Sequence, residues 1–210
     1  MPVKVKEHLN NLNREVDRLL EKSRRDPLTN LYNIGYLRRK LSVSLEDLNG
    51  DGRKLALCFI DVDDMAKLNS RYSHSVCNKA LIELAGIFEE AVNDGIVARF
   101  GGDEFCILLP KITGVGAVEQ LVERIESKLT TPVKVKDNKI ELRISIGIAI
   151  APTHANRVDE MLHRGSLSMF EAKRKNKREK NHYYFHEIEE EVNKNDNSIS
   201  KGKRKIAETT

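Results

Sequence analysis

Tryptophan is absent from the sequence, and aromatic residues make up only 5% of its 210 residues. No stretch approaches the roughly 20 consecutive apolar residues that a membrane-spanning helix needs, and the charged N-terminus lacks the apolar core of a secretory signal. We therefore expect a cytoplasmic protein with no membrane segment. The three cysteines, Cys58, Cys77 and Cys106, show no metal-ligand spacing. Their scarcity and spacing indicate a reducing compartment and argue against a zinc site.

The remaining composition is that of an ordinary globular protein with a polar surface. Hydrophobic residues account for 40% and charged residues for 32%, and the length suits one well-packed domain. The formal net charge is +4, with basic clusters at residues 173–180 and 201–205. No nucleic-acid-reading motif accompanies these clusters, and we interpret the aromatic run at 183–185 as strand core rather than a base-stacking platform. We do not expect a nucleic-acid partner.

The first 25 residues carry a coiled-coil-like pattern. Val5, Leu9, Leu12, Val16 and Leu19 recur at alternating spacings of four and three, which places them along one side of a helix. An isolated helix of this length is marginally stable in water, so its apolar stripe needs a partner. That partner is either a second copy of the chain or the domain's own surface. The 3.5-residue repeat favours a second copy.

Apolar periodicity and turn signals predict the elements that follow. Helices are expected at 34–48, 76–92, 115–129 and 159–175. Strands are expected at 55–61, 96–100, 104–109, 140–150 and 183–185, with a turn at 49–52. The charged segment at 188–210 lacks apolar periodicity and is predicted to be disordered. Between these ends, residues 26–187 are predicted to form a single α/β domain.

Two groups of carboxylates lie where predicted strands end. Asp61 closes the strand at 55–61, and Asp103 and Glu104 lie at the tip of the next hairpin. Mg²⁺ takes oxygen ligands and is usually held by one or two carboxylates together with substrate phosphates. Such acids can also simply cap helices or face solvent. Gly101 and Gly102 favour the metal and phosphate hypothesis, because paired glycines allow a tight turn and a close approach of the main chain to a phosphate.

The sequence around these acids resembles the GGDEF family of diguanylate cyclases. The segment at 99–105 reads RFGGDEF, which is similar to the family signature. Further similar segments, in order, are DPLTNLYN at 26–33, FIDVD at 59–63 followed by Asn69 and His74, SIGIA at 145–149 and MFEAK at 169–173. The resemblance covers roughly residues 26 to 185, and so many ordered matches are not expected by chance.

The resemblance implies both a fold and a reaction. The fold would be an α+β sandwich of the nucleotide-cyclase or palm-like type, with a central, mostly antiparallel five-stranded sheet surrounded by helices. The reaction would be the condensation of two GTP into cyclic di-GMP and pyrophosphate by attack of a 3′-hydroxyl on an α-phosphorus. Because each chain would hold one GTP, the active unit would be a homodimer. The N-terminal helix would hold or orient the two domains, and an upstream sensory partner or domain would fit the same arrangement.

The same resemblance implies roles for individual residues. Asp61, Asp103 and the Val62 carbonyl would bind two Mg²⁺ (or Mn²⁺) ions, and Glu104 would act as a metal ligand or base. The family's remaining contacts to the nucleotide would be made by Gly101 and Gly102 under the phosphates, by Asn69 and Asn78 at the guanine, and by Lys173 and Lys177 at the phosphates.

Two positions near Asp61 depart from the family pattern. Ala66 stands where the family has a lysine that neutralises phosphate charge, a loss worth on the order of a few kcal/mol of transition-state stabilisation. Lys67 cannot be assumed to replace it, because adjacent helical residues point about 100° apart. Asn78 stands where an aspartate accepts hydrogen bonds from guanine, and an amide offers only one acceptor oxygen.

These departures keep two alternatives open beside the active cyclase. One is a weak or inactive domain that binds a nucleotide or a partner and regulates it. The other is a cyclase with altered base choice, for which Asn78 is the relevant residue. The family's product-inhibition motif, R-x-x-D, would fall at residues 92–95 and is absent. We therefore predict no feedback inhibition at that place.

Overall fold

The computed structural model describes residues 3–48, 53–175 and 182–186. The predicted turn at 49–52 and the predicted disordered tail at 188–210 lie outside these residues. The helices within the described residues are α1 Val3–Ser23, α2 Ile34–Glu46, α3 Met65–Tyr72, α4 His74–Ala91, α5 Gly116–Leu129 and α6 Val158–Lys175. The strands are β1 Tyr32–Asn33, β2 Lys54–Val62, β3 Ile96–Gly101, β4 Glu104–Ile112, β5 Val133–Val135, β6 Asn138–Ile140, β7 Ile144–Ala151 and β8 His182–Phe185.

The central sheet has the strand order β1-β3-β4-β2-β7-β8. The four inner strands are antiparallel to one another, and the short edge strands β1 and β8 pair in parallel with β3 and β7. The mixed α+β architecture with a helix-covered, mostly antiparallel sheet is as expected. The sheet has six strands rather than five, because the two residues of β1 add a short pairing beside β3.

Strand β2 lies at the centre of the sheet and contributes to both of its faces. Leu57 and Phe59 pack in the hydrophobic cluster formed with α2 and α6, whereas Cys58 and Ile60 pack in the cluster formed with α4 and α5. Successive side chains of a strand point to opposite faces, so Asp61 projects on the side of α2 and α6. Each fully buried Leu, Ile or Phe contributes about 1.5–3 kcal/mol by leaving water, which fixes this register firmly.

Helix α6 lies unusually close to strand β7. A Cβ atom added to Gly147 would lie 2.0 Å from the main-chain nitrogen of Met169 and 2.1 Å from the carbonyl oxygen of Gly165. Two main chains can approach this closely only where no side chain stands between them. The absence of a side chain at Gly147 therefore sets the distance of α6 from the sheet.

Most of the predicted elements are present, and three parts of the sequence differ from expectation. The apolar run at 140–150 is not one strand, because Ile140 belongs to β6 and β7 begins at Ile144. The β5–β6 hairpin was not predicted, and helix α3 was predicted at residues 66 and 67 but without bounds. Among the described residues, no helix is long and apolar enough to cross a membrane.

The N-terminal stripe forms a helix, and the described part of its apolar side is exposed. Leu12, Val16 and Leu19 on α1 are each about half exposed. The side chains of Val5 and Leu9 lie outside the described part of the chain. The described apolar side chains of α1 thus do not pack on the domain's own core, and pairing with a second copy stays a prediction.

Each of the three cysteines is free and buried. Cys58 on β2 and Cys106 on β4 are offset by one residue across the β2–β4 ladder, and both lie within the core. Burial raises the pKa of the Cys58 thiol to about 12, so this thiol stays protonated and unreactive at neutral pH.

Candidate active site

Asp61 is the central residue of the candidate site. It is the last but one residue of β2, and its neighbours across the ladders are Glu104 on β4 and Ser145 on β7. Directly opposite residues of antiparallel strands project on the same face, so these three side chains share the face that carries α6. Only 8% of Asp61 is exposed. A nearly buried carboxylate requires a partner of opposite charge or several hydrogen-bond donors.

Lys173 supplies that charge from the last turn of α6. Its ammonium nitrogen lies 2.5 Å from Oδ1 of Asp61. Burial raises the pKa of Asp61, and the nearby carboxylates Asp103 and Asp63 add to this effect. Lys173 acts in the opposite direction but does not cancel it, so the pKa of Asp61 stays above its ordinary value. Burial alone would lower the pKa of Lys173, but the hydrogen bond to Asp61 and the surrounding carboxylates raise it. Lys173 is therefore a firmly protonated cation among acids.

The β3–β4 turn brings Asp103 against the end of β2. The main-chain N–H of Val62 donates to the carbonyl oxygen of Asp103 at 3.2 Å. Gly102 has a φ of 54°, in the left-handed region that glycine adopts without strain. A Cβ added at Gly101 or Gly102 would meet nothing within 4 Å, so the main chain of this turn is open to a ligand.

Two more carboxylates border Asp61. Oδ1 of Asp63 accepts a hydrogen bond from the Ser145 hydroxyl at 2.8 Å. The main-chain N–H of Asp63 donates to the carbonyl oxygen of Arg143, also at 2.8 Å. Burial raises the pKa of Asp63, and the Ser145 hydrogen bond acts against this. Burial, followed by the charges of Asp61 and Asp103, raises the pKa of Glu104. The acids thus repel one another, and a cation among them would relieve that repulsion.

This set of donors suits a hard cation. The available atoms are carboxylate and main-chain oxygens, which Mg²⁺ prefers, and the ammonium of Lys173 already lies where positive charge is favourable. Among the described ranges 3–48, 53–175 and 182–186, no group of three or more His, Cys, Asp or Glu side chains is arranged to hold a metal ion. A metal ion at this place stays a prediction.

The expected nucleotide contacts are distributed over α3 and α4. Asn69 is half-buried in the last turn of α3, and Asn78 is exposed in the second turn of α4. Ser73 joins the two helices with φ 79° and ψ 154°, a conformation that favours glycine. Ala66 is exposed. The ammonium of Lys67 lies 2.7 Å from Oδ1 of Asp64 on the surface, so Lys67 is paired with this neighbouring acid.

Lys177 lies outside the described residues, so its predicted phosphate contact stays a prediction. The other predicted residues divide into two groups. Asp61, Val62, Asp103, Glu104, Gly101, Gly102 and Lys173 meet around the ends of β2, the β3–β4 turn and α6. Asn69 and Asn78 lie on α3 and α4, which follow β2 along the chain.

Sequence reasoning did not single out Arg99, Asp26 or Ser145. The guanidinium of Arg99 donates to the carbonyl oxygen of Gly102 through Nη2 at 2.6 Å and Nε at 3.1 Å, and to Oδ1 of Asp26 through Nη1 at 3.0 Å. Both Arg99 and Asp26 fall inside the quoted motifs, which was the available signal. No signal in the sequence indicated that these two residues, 73 positions apart, would pair with each other.

Comparison with known proteins identifies the class to which this fold and site belong. A family model described as "Diguanylate cyclase, GGDEF domain" matches residues 23–179, which is most of the chain. The chain therefore belongs to the GGDEF family of diguanylate cyclases, whose general function is the synthesis of cyclic di-GMP.

Individual relatives agree with this assignment. The chain is 30% identical over 158 residues to the diguanylate cyclase TpbB of Pseudomonas aeruginosa, covering 74% of this chain and 36% of TpbB. The solved GGDEF domain of TpbB has a TM-score of 0.72 at 28% identity, covering 76% of this chain and 99% of that domain. A crystal structure of the diguanylate cyclase SiaD with its activator SiaC, also from P. aeruginosa, has a TM-score of 0.69 at 26% identity, covering 82% of this chain and 66% of SiaD.

Proposed function

We propose that this protein is a diguanylate cyclase that condenses two GTP into cyclic di-GMP and pyrophosphate. The observation that carries the proposal is the meeting of Asp61 with Asp103 and Glu104 beside a protonated Lys173, in a chain that belongs to this family. An inactive domain has no chemical need to keep these acids together at such an electrostatic cost.

In the proposed reaction, the residues of the β2 end and the β3–β4 turn act on the triphosphate. Asp61, Asp103, Glu104 and the carbonyl oxygen of Val62 would hold Mg²⁺ or Mn²⁺. Bound there, the ions would neutralise charge on the transferring phosphoryl group and make the attacking 3′-hydroxyl more acidic. Glu104 would serve either as a metal ligand or as the base that accepts that proton.

Lys173 and the glycine turn would position the phosphates. The side chain of Lys173 is 40% exposed, so its ammonium would be able to turn from Asp61 to a phosphate oxygen once other cations reach the acids. Gly101 and Gly102 leave room for the triphosphate along the main chain. Asn69 and Asn78 would contact the base from α3 and α4. A cyclic dinucleotide needs two such sites facing each other, so the working unit would be a homodimer, with the exposed stripe of α1 as its first candidate contact.

A second candidate function is a nucleotide- or partner-binding regulator with weak or no catalysis. The supporting observation is that Ala66 leaves the phosphate side without its usual lysine and Lys67 is paired with Asp64 instead.

A third candidate is a cyclase with altered base choice, which rests on Asn78. The structure of SiaD with an activator makes an activating partner a reasonable proposal here too.

The deciding experiment is incubation of the purified protein with Mg²⁺ and GTP, ATP or both, with products separated by chromatography and identified by mass. Cyclic di-GMP that disappears with Asp103→Asn supports the cyclase. A mixed dinucleotide supports altered base choice. No product from any mixture, from a protein shown to be folded and dimeric, would favour the regulator.

A further inference from the structure

We propose that Arg99 is a positioning residue that ties the catalytic β3–β4 turn to the end of helix α1 through Asp26. We call the three residues Asp26, Arg99 and Gly102 the arginine link. The inference goes beyond the proposed function, because it concerns how the position of α1 reaches the acids rather than which reaction they perform.

The first part of the argument is the geometry of Arg99 itself. Its Nε and Nη2 atoms donate to one acceptor, the carbonyl oxygen of Gly102, while Nη1 donates to Asp26. The side chains of Arg99 and Asp26 are only 12% and 17% exposed. A planar guanidinium that contacts two segments at once holds their separation, which a lysine ammonium cannot do in the same way.

The second part is how Asp26 is anchored. Its Oδ1 also accepts from the main-chain N–H of Thr29 at 2.8 Å and from the Thr29 hydroxyl at 2.7 Å. Burial alone would raise the pKa of Asp26, but the Thr29 and Arg99 hydrogen bonds outweigh it and lower the pKa. The carboxylate is therefore charged at neutral pH and is held rigidly in the turn that follows α1.

The third part connects this turn to α1. The main-chain N–H of Asn33 donates to the carbonyl oxygen of Arg24, and its side-chain amide donates to the carbonyl oxygen of Ser23, the last residue of α1, each at 2.8 Å. Asn33 is also the β1 residue that pairs with Arg99 on β3. Main-chain and side-chain contacts thus both run from the end of α1 to Arg99.

The last part connects Gly102 to the acids. Asp103 follows Gly102 directly, and its carbonyl oxygen accepts from the N–H of Val62, the neighbour of Asp61. A shift of the Gly102 carbonyl therefore moves Asp103 relative to Asp61. The described apolar side chains of α1 are exposed, so they do not themselves contact this turn.

The test is amide hydrogen exchange of Val62, measured by NMR in the full chain, because this N–H reports the position of the Asp103 carbonyl. We expect Arg99→Lys and Asp26→Asn each to speed exchange at Val62 by about threefold or more, with exchange at Cys58 in mid-strand unchanged. In the double variant, exchange at Val62 should be only slightly faster than in the more affected single variant, since both changes break the same link. Arg38→Lys is the matched control, because Arg38 pairs with Asp159 between α2 and α6 and does not reach the turn.

Enzyme kinetics give a second readout. We expect kcat to fall about tenfold in both link variants with KM for GTP nearly unchanged, because misplaced acids affect the transition state more than binding. Unchanged exchange at Val62 in Asp26→Asn would overturn the proposal, as would an equal effect of Arg38→Lys. If wild-type protein makes no dinucleotide, the exchange result still decides on the arginine link, while the cyclase proposal fails separately.

Discussion

Replacing Gly147 by alanine should destabilise the protein strongly, because α6 touches the main chain of β7 at this residue. The added methyl carbon would lie 2.0 Å from the Met169 nitrogen and 2.1 Å from the Gly165 oxygen. Non-bonded carbon contacts are optimal near 3.5–4.0 Å, so α6 must withdraw by more than about 1 Å. These are main-chain atoms, which cannot rotate away as a side chain can.

The expected cost is about 3 kcal/mol or more, at the upper end of measured overpacking effects. For a domain of this size, that corresponds to a fall in Tm of roughly 6–12 °C. The measurement is chemical and thermal unfolding followed by circular dichroism. Cyclase activity should fall further than the folded fraction, since α6 carries Lys173.

Gly86→Ala is the matched control for this substitution. Gly86 lies inside α4, and a Cβ there would meet nothing within 4 Å. Alanine should stabilise this helix by about 0.5–1 kcal/mol, because glycine is unfavourable in helix interiors. The inferred close approach of α6 to β7 would be wrong if the free energy of unfolding of Gly147→Ala lay within about 1 kcal/mol of the wild-type value. It would also be wrong if Gly147→Ala behaved like Gly86→Ala.

Three further predictions follow from other residues. Ser73→Gly should raise the free energy of unfolding by about 1 kcal/mol, because it relieves a positive φ, and denaturant titration showing a loss would contradict this. Burial and the charge of Glu123 raise the pKa of Glu126 from 4.5 to about 7. The folded state therefore binds more protons, and stability falls as pH rises through this window. Glu126→Gln should raise the free energy of unfolding by about 1 kcal/mol at pH 8, allowing for partial exposure, and leave it unchanged below about pH 4, where the carboxyl is protonated in both states. Glu89→Gln, at an exposed residue, is the matched control, and an equal gain there would contradict the burial argument. Asn78→Asp should raise the preference for GTP over ATP about tenfold or more in competition assays, by adding an acceptor for guanine, and an unchanged ratio would exclude base contact by residue 78.

Much of the fold could be predicted from local patterns. Strand β2 is a continuous apolar run, and α5 has apolar residues at helical spacing, so their periodicity alone indicates the element type. Helix α3 has only eight residues and follows Asp64 in a left-handed conformation without a side-chain cap, so no start signal marks it. The three-residue strands β5 and β6 are too short for alternation to be distinguished from chance.

The candidate site could be predicted only in part, for a related reason. Asp61, Asp103 and Glu104 were recognisable because each stands at the end of an apolar strand or in a glycine turn. Their register across β2 and β4 depends on long-range pairing, which local patterns do not encode. The contact between Lys173 and Asp61 spans 112 positions. It depends on how closely α6 sits on the sheet, which is decided by Gly147.

The burial of the three cysteines makes the native chain nearly silent to thiol-reactive probes. Cys58, Cys77 and Cys106 are inaccessible, and burial raises the pKa of each of their thiols. A single cysteine introduced at an exposed place, such as Asn13→Cys on α1, would therefore be labelled selectively without removing any of the native cysteines. In the proposed homodimer, a spin label at that place would report the distance between the two α1 helices directly, in protein whose core has not been altered.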